Sequence, residues 1–421
     1  MRTEQLDAGI RQTTASNGVT VLSERMPTVR SAAVGVWVRT ASAHEARPKM
    51  GVSHLLEHMV FKGTERRTAR EIALALEAHG GSLDAYTSRD STAFHARVLD
   101  ADLPRAVDVI TDLVRRPVLR ETDLALERNV VLEEINTVQD TPDDLVFDLA
   151  AEAMWPSHPY GYPILGTRET VGGLSRDDLR GLHERAYVPR NCAIAAAGNL
   201  EHERLLALLA EHGWFDDGAP AGGPPPLATA PPAVRGAEAR HGRDTAQTHI
   251  VFGTDTVPFS DPRKYALMVL ANVFGGGMSS RLFQRIREEL GLAYAVYSFT
   301  SFHRGVGAAG VYVGTQPATA RRAAEAIREE YGKLAREGLH GEALAEAKRQ
   351  TQGQLVLSLE SPTARMYRLA GVAVYEEPFR SVDRLLAAIE ALTADEVGAV
   401  AAEFFAPERQ TVTWLGPNGG T

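Results

Sequence analysis

Residues 51–64 read GVSHLLEHMVFKGT, and within them His54-Leu55-Leu56-Glu57-His58 places two imidazoles and a carboxylate inside five positions. On an α-helix, residues four apart lie about 40° apart around the axis and residues three apart about 60°. His54, Glu57 and His58 therefore share one face within about one turn. The flanking Val52, Leu55, Leu56, Met59, Val60 and Phe61 leave little polar surface, so the predicted helix is buried. Burying two histidines and a glutamate without partners is costly. A cation resolves that cost. Two neutral imidazoles can hold a Zn²⁺ ion, which at a reactive site takes three protein ligands and keeps a fourth position open. Glu57, beside that position, has the reach of a general base. On a solvated helix the same residues would be ordinary surface charge; the apolar flanks favour the metal.

The totals narrow the class. At 421 residues the chain is long for one domain and suits two. With 44% hydrophobic and 24% charged residues it can bury ample core, and its net charge of −9 argues against nucleic acid or an anionic membrane as a partner. The single cysteine, Cys192, sits in the apolar run Cys192-Ala193-Ile194-Ala195 and reads as a small core side chain. Without a cysteine cluster, a metal must use histidine and carboxylate. Met1 to Arg11 has no apolar signal core, and no apolar run reaches the roughly 20 residues of a membrane span. A cytoplasmic location is expected.

Residues 218–232, GAPAGGPPPLATAPP, are too rich in proline and glycine for a regular helix or a central strand. They predict domains at 1–217 and 236–421, joined by a linker over 218–235. The halves resemble copies. Leu174-Ser175-Arg176-Asp177-Asp178-Leu179 is echoed by Leu392-Thr393-Ala394-Asp395-Glu396-Val397, an offset of 218 positions (392 minus 174). At the same offset Pro189 meets Pro407 and Gly198 meets Gly416. Thr68-x-x-Glu71 is a capping box opening a helix that stops at Gly80-Gly81. Two strand-like runs follow, 82–87 and 92–99, with a polar turn between them. Helical runs cover 102–116 and about 120–139. The second half repeats the mixture, with a strand near 247–254, strands within 292–314 and helices from 317 to 405. The class is α+β: two duplicated domains, each a mostly antiparallel sheet packed with helices.

A third ligand is still needed. The helix over 120–139 offers Glu127, Glu133 and Glu134. Glu127 and Glu134 are seven apart and lie on nearly one face, which also carries Val131 and Val138; Glu133 points roughly a quarter turn away. Helix geometry leaves two readings open: a metal role, or ion pairs with arginines such as Arg120 and Arg128.

These residues carry a resemblance. GVSHLLEHMVFKGT (51–64), GGSLDAYTSRDST (80–92), ERNVVLEEINTVQDTPDD (127–144) and GGGMSSRLFQRIREELGLAYAVYS (275–298) resemble the pitrilysin, insulinase and mitochondrial processing peptidase family. This family's zinc motif is the inverted H-x-x-E-H. The similarity runs through nearly the whole chain, and the length resembles the short-chain, processing-peptidase-like branch. It implies one Zn²⁺ per chain held by His54, His58 and Glu134, with Glu57 as general base and Glu127 as a supporting carboxylate. It implies that Ser82, Asp84, Ala85, Tyr86 and Thr87 form an edge strand that pairs with substrate backbone; family members commonly have asparagine where this chain has Asp84. The offset of 218 puts Asn272, Gly276 and Gln352 where the ligands would be, so the second half lacks the metal set. It carries Phe283, Arg287 and Tyr294 instead, and the resemblance implies that Arg287 and Tyr294 reach the substrate. Residues alone would make Arg287 a surface charge paired with Glu288 or Glu289, and Tyr294 a strand core residue. The expected activity is a zinc metalloendopeptidase of oligopeptidase or processing type acting on extended or unfolded peptides. The expected assembly is a homodimer, with a heterodimer of related chains as the other arrangement. The alternative is a non-catalytic structural or partner subunit. His79, His95, His158, His183, His249 and His303 fall in no ligand spacing.

Overall fold

The computed structural model describes residues 1–216 and 231–417. Positions 218–230 of the expected linker lie outside the described residues. The first half runs β1 (Arg2–Asp7), β2 (Ile10–Thr14), β3 (Thr20–Arg25), β4 (Ser31–Val38), α1 (Val52–Val60), α2 (Ala69–Glu77), β5 (Ser82–Thr87) and β6 (Thr92–Leu99). It continues with α3 (Leu103–Arg115), α4 (Glu121–Asp140), α5 (Pro142–Met154), α6 (Arg168–Gly173), α7 (Arg176–Ala186), β7 (Cys192–Gly198) and α8 (His202–Glu211). The second half runs β8 (Glu238–Gly242), β9 (Thr248–Thr256), α9 (Lys264–Gly275), a π-helical segment Phe283–Glu289, β10 (Ala293–Phe302) and β11 (Gly307–Thr315). It ends with α10 (Ala320–Glu337), α11 (Gly341–Ser358), α12 (Pro362–Tyr375), α13 (Val382–Glu390), α14 (Ala394–Phe404) and β12 (Thr411–Gly416). The predicted capping box is present, with Thr68 Oγ1 accepting from Glu71 N and the Glu71 carboxylate from Thr68 N.

Among the described residues two sheets form, in the orders β1-β2-β3-β7-β4-β6-β5 and β10-β11-β9-β12-β8. The second repeats the β3 to β7 part of the first: β3 is parallel to β7 as β8 is to β12, and all other neighbours are antiparallel. Duplication is thus visible in topology as well as in sequence.

The compact units do not follow the chain's midpoint. One holds Met1–Ile135, the stretch beginning at Pro163, and Leu357–Phe379; the other holds Asn136–Tyr162, the stretch ending at Val356, and the chain from Arg380. Each half therefore gives one helix to the other half's sheet. In the first unit α12 lays Met366, Leu369, Ala370 and Ala373 on Ala193, Ala195 and Ala197 of β7 and on Leu22 and Trp37. Ile194 and Ala196 of the same strand face the opposite core with α1 and α3. β7 is buried on both faces, which is why it reads as an unbroken apolar run. In the second unit α5 lays Leu145, Val146 and Ala150 on Val251, Tyr312 and Leu415. Gly253 makes room there: a Cβ would stand 2.9 Å from Met154 Sδ.

Candidate metal centre

The helix α1 is anchored before it is functional. Val52, Leu55, Leu56, Met59 and Val60 are all buried, Leu55 and Leu56 completely. Each such side chain contributes about 1.5–3 kcal/mol of burial. Gly51 enters the helix at φ 87, and a Cβ there would lie 2.5 Å from Leu165 O, so the position needs glycine. The buried Glu45 carboxylate accepts from Gly51 N and Ser53 N, each at 2.8 Å, satisfying donors that a helix start leaves open. Burial pushes this carboxyl up to about 7, against the pull of the two backbone donors and Arg89.

The polar face of α1 meets α4. Along α4, Leu124, Glu127, Val131 and Ile135 are buried at helical spacing, which turns Glu127 and Glu134 toward α1 and leaves Glu133 exposed. Glu134 Oε2 lies 3.6 Å from His54 Nε2, and its Oε1 3.5 Å from His58 Nε2. Adjacent donors on a tetrahedral ion with bonds of about 2.1 Å stand about 3.4 Å apart. One ligand atom from each of the three residues lies within 4.8 Å of the others, a grouping no other triad matches among the described residues. The imidazole rings sit 4.7 Å apart, centroid to centroid.

Protonation suits a cation. Burial, and then the neighbouring His58, push the His54 imidazole down to about 3, so it is neutral with a lone pair to give. Glu127 Oε2 lies 3.2 Å from His58 Nδ1; a carboxylate there holds the proton on Nδ1 and turns the Nε2 lone pair toward Glu134. Glu127 is 5% exposed, and its other oxygen meets Lys62 Nζ at 2.6 Å. His54 has no such support: its Nδ1 is buried and finds no protein partner. The donor set, its spacing and its protonation fit zinc. Of the two carboxylates that helix periodicity left undecided, Glu134 faces both Nε2 atoms and Glu127 stands behind His58.

Glu57 projects from the same face. Burial raises its carboxyl from the usual value and the Glu134 charge adds to this, while the Thr87 hydroxyl, donating to Oε2 at 2.5 Å, pulls the other way. Thr87 closes β5, which among the described residues pairs only with β6 and is the sheet's edge. The strand's two faces differ. Leu83, Ala85 and Thr87 are half-buried on the α1 side, whereas Ser82, Asp84 and Tyr86 are exposed on the other. The expected substrate strand is thus an edge strand, but only alternate side chains share a face with the metal helix.

In the second unit Phe283, Arg287 and Tyr294 come together. The Arg287 guanidinium stands 4.8 Å from the Phe283 ring centre and 4.4 Å from that of Tyr294, and Nη1 donates to Tyr294 O at 3.3 Å. Arg287 also lies 3.7 Å from Glu288. Tyr294 is 78% exposed, which rules out the core reading that residues alone favoured. The counterparts of the ligands are otherwise engaged. Asn272 Nδ2 donates to Thr351 Oγ1 at 3.4 Å and Gln352 Nε2 to Leu386 O at 3.0 Å. A Cβ on Gly276 would stand 2.3 Å from Asn272 Oδ1.

Sequence reasoning missed Glu45, Lys62 and the bond from Thr87 to Glu57. Glu45 lies on a loop six positions before Gly51, outside any capping spacing, so only the folded loop reveals it.

Two histidines and a glutamate from two helices, with a second glutamate beside them on the H-x-x-E-H face, match the donor pattern of inverted-motif metallopeptidases. Comparison with known proteins agrees. The insulinase model of peptidase family M16 matches residues 20–168, and the model described as the peptidase M16 inactive domain matches residues 173–351. A protein named as a zinc protease in Streptomyces coelicolor is 37% identical over 97% of this chain and 90% of its own length. One in Bacillus subtilis is 36% identical over 97% and 99%. Among solved structures, a protease from Helicobacter pylori superposes with a TM-score of 0.91 at 22% identity, covering 97% of this chain and 99% of that one. A peptidase M16 inactive domain from Pseudomonas fluorescens gives 0.89 at 19% identity, covering 97% and 98%. The chain belongs to peptidase family M16, the insulinase family, whose members here are named as zinc proteases. No helix among the described residues is long and apolar enough to cross a membrane.

Proposed function

We propose that this chain is a zinc-dependent endopeptidase or oligopeptidase that hydrolyses extended or unfolded peptides. The observation that supports it best is the convergence of His54, His58 and Glu134, with Glu57 tied through Thr87 to an open sheet edge. His54, His58 and Glu134 would hold the zinc ion, which would supply Lewis acidity toward water and a peptide carbonyl. Glu57 then takes the proton of the attacking water and delivers it to the leaving amine. Thr87 holds the Glu57 carboxylate at one oxygen and leaves the other to act. Glu127 keeps His58 in the metal-binding tautomer. The exposed edge of β5 binds substrate by backbone hydrogen bonds, which selects for an unfolded segment. Phe283, Arg287 and Tyr294 are assigned to substrate binding. With the metal set and the Arg/Tyr pair in one chain, the proposed assembly is a homodimer with one zinc per chain.

The test is zinc content measured beside cleavage of an unfolded peptide, for the parent, Glu57→Gln and Glu134→Gln. Glu57→Gln should keep its zinc and lose about 10²–10⁴-fold in hydrolysis, and Glu134→Gln should lose both. Equal hydrolysis by Glu57→Gln and the parent would overturn the general-base assignment. A zinc-loaded parent that binds peptides but cuts none would point to a non-catalytic partner subunit.

A further inference from the structure

We propose that the side of β5 turned away from the metal helix carries a subsite for a basic substrate side chain, formed by the Asp84 carboxylate and the rings of Tyr86 and Tyr367. It rests on the edge-strand pairing proposed above. Side chains alternate between the two faces of a sheet. A peptide added alongside β5 therefore sends every second side chain to the α1 face and the others to the face of Asp84 and Tyr86.

That second face is built rather than bare. α12 covers the centre of the sheet, and Tyr367 at its flank reaches out toward β6 and β5. The Tyr367 hydroxyl and His95 Nε2 are hydrogen-bonded at 2.6 Å, and Trp37 Nε1 donates to the Tyr86 hydroxyl at 3.0 Å. The two tyrosine rings, 6.2 Å apart and tilted by 49°, are thus held at their polar ends, and each residue stays 36% exposed. Trp37 supports them from below, its ring 5.9 Å from that of Tyr367.

Asp84 sits beside these rings. It pairs across the strands with His95, its charge acts on both His95 and Tyr367, and it is exposed. Burial lowers the His95 imidazole, so at neutral pH the neighbour does not cancel the carboxylate. Arg97, on the same side, stands opposite Ser82, diagonal to Asp84, and among the described residues no ion pair to Asp84 forms. An exposed carboxylate that makes no ion pair among the described residues, next to two exposed aromatic faces, is the complement of a lysine or arginine side chain. The carboxylate attracts its head, and rings within about 6 Å of a cation add cation–π attraction.

Binding tests this apart from hydrolysis. A fluorescein-labelled Ala/Thr decapeptide carrying one lysine at successive positions is compared with its norleucine counterpart, by anisotropy on zinc-loaded Glu57→Gln. Lysine should be preferred by about fivefold at positions of one parity. Adding Asp84→Asn should bring that ratio to about one, and adding Asp84→Lys should shift preference to a glutamate-bearing peptide. Binding without a lysine preference, or a preference that Asp84→Asn leaves intact, overturns the subsite alone. Failure of every peptide to bind overturns the edge-strand reading and the subsite with it.

Discussion

The Thr87 hydroxyl donates to Glu57 Oε2 at 2.5 Å, joining the last residue of the edge strand to the base of the metal centre. A hydrogen bond to a charged group contributes about 1.5–3 kcal/mol. Thr87→Val keeps the shape and removes the donor. It should lower kcat by about tenfold or more with little change in KM, and Thr87→Ser should recover most of the loss. Steady-state kinetics on an unfolded peptide decides; a rise in KM alone would mean that Thr87 acts on substrate rather than on Glu57.

Glu127 touches His58 at Nδ1, on the side away from the metal position. Removing such a support typically costs 10–100-fold in metal affinity. Glu127→Ala should show this loss in competition with a chelator while still binding zinc at saturation. Glu134→Ala should show no saturable site.

Glu45 gives a pH signature. Its folded carboxyl lies at about 7, above the 4.5 of the free group, so the folded state binds the proton more tightly. Stability from this group is full below about pH 4.5 and is lost as pH rises to 7. Glu45→Gln does not titrate. In urea titrations, the stability of the parent relative to Glu45→Gln should fall by about 2–3 kcal/mol between pH 5 and pH 8. A difference that stays flat with pH would mean that Glu45 is already ionised in the fold at pH 5.

Leu56 is fully buried on α1, two positions from each histidine and on the opposite face of the helix. Leu56→Ala should cost about 2–5 kcal/mol by loss of burial and cavity formation. Because zinc binds the folded form alone, excess zinc should restore part of the lost stability. Thermal melts with and without zinc measure both effects.

Local spacing explains what was legible. His54, Glu57 and His58 declare a shared face because helical geometry is fixed over one turn. The hairpin over 82–87 and 92–99 and the box at Thr68 and Glu71 are likewise decided by neighbours in the chain. β1 and β2 were not legible, because Arg2–Asp7 and Ile10–Thr14 are polar edge-side segments whose pairing is set by β3 and not by their own pattern. α12 falls within the helical run from 317 to 405 and α5 in no predicted element, and nothing in the periodicity of either says which sheet it covers.

The sequence by itself determined a two-copy α+β chain with one imidazole–carboxylate face, since both rest on repeats and short-range periodicity. Tertiary structure alone decided that Glu134 faces the histidine Nε2 atoms while Glu127 orients His58, because both glutamates share one face of α4 and only packing against α1 tells them apart. It also decided that Glu45 caps α1, that Thr87 serves Glu57, and that Asp84 stands beside Tyr367. Those partners lie 6 to 283 positions apart in the chain, at 45 and 51, 57 and 87, and 84 and 367. Only burial of the apolar faces between them brings them into contact.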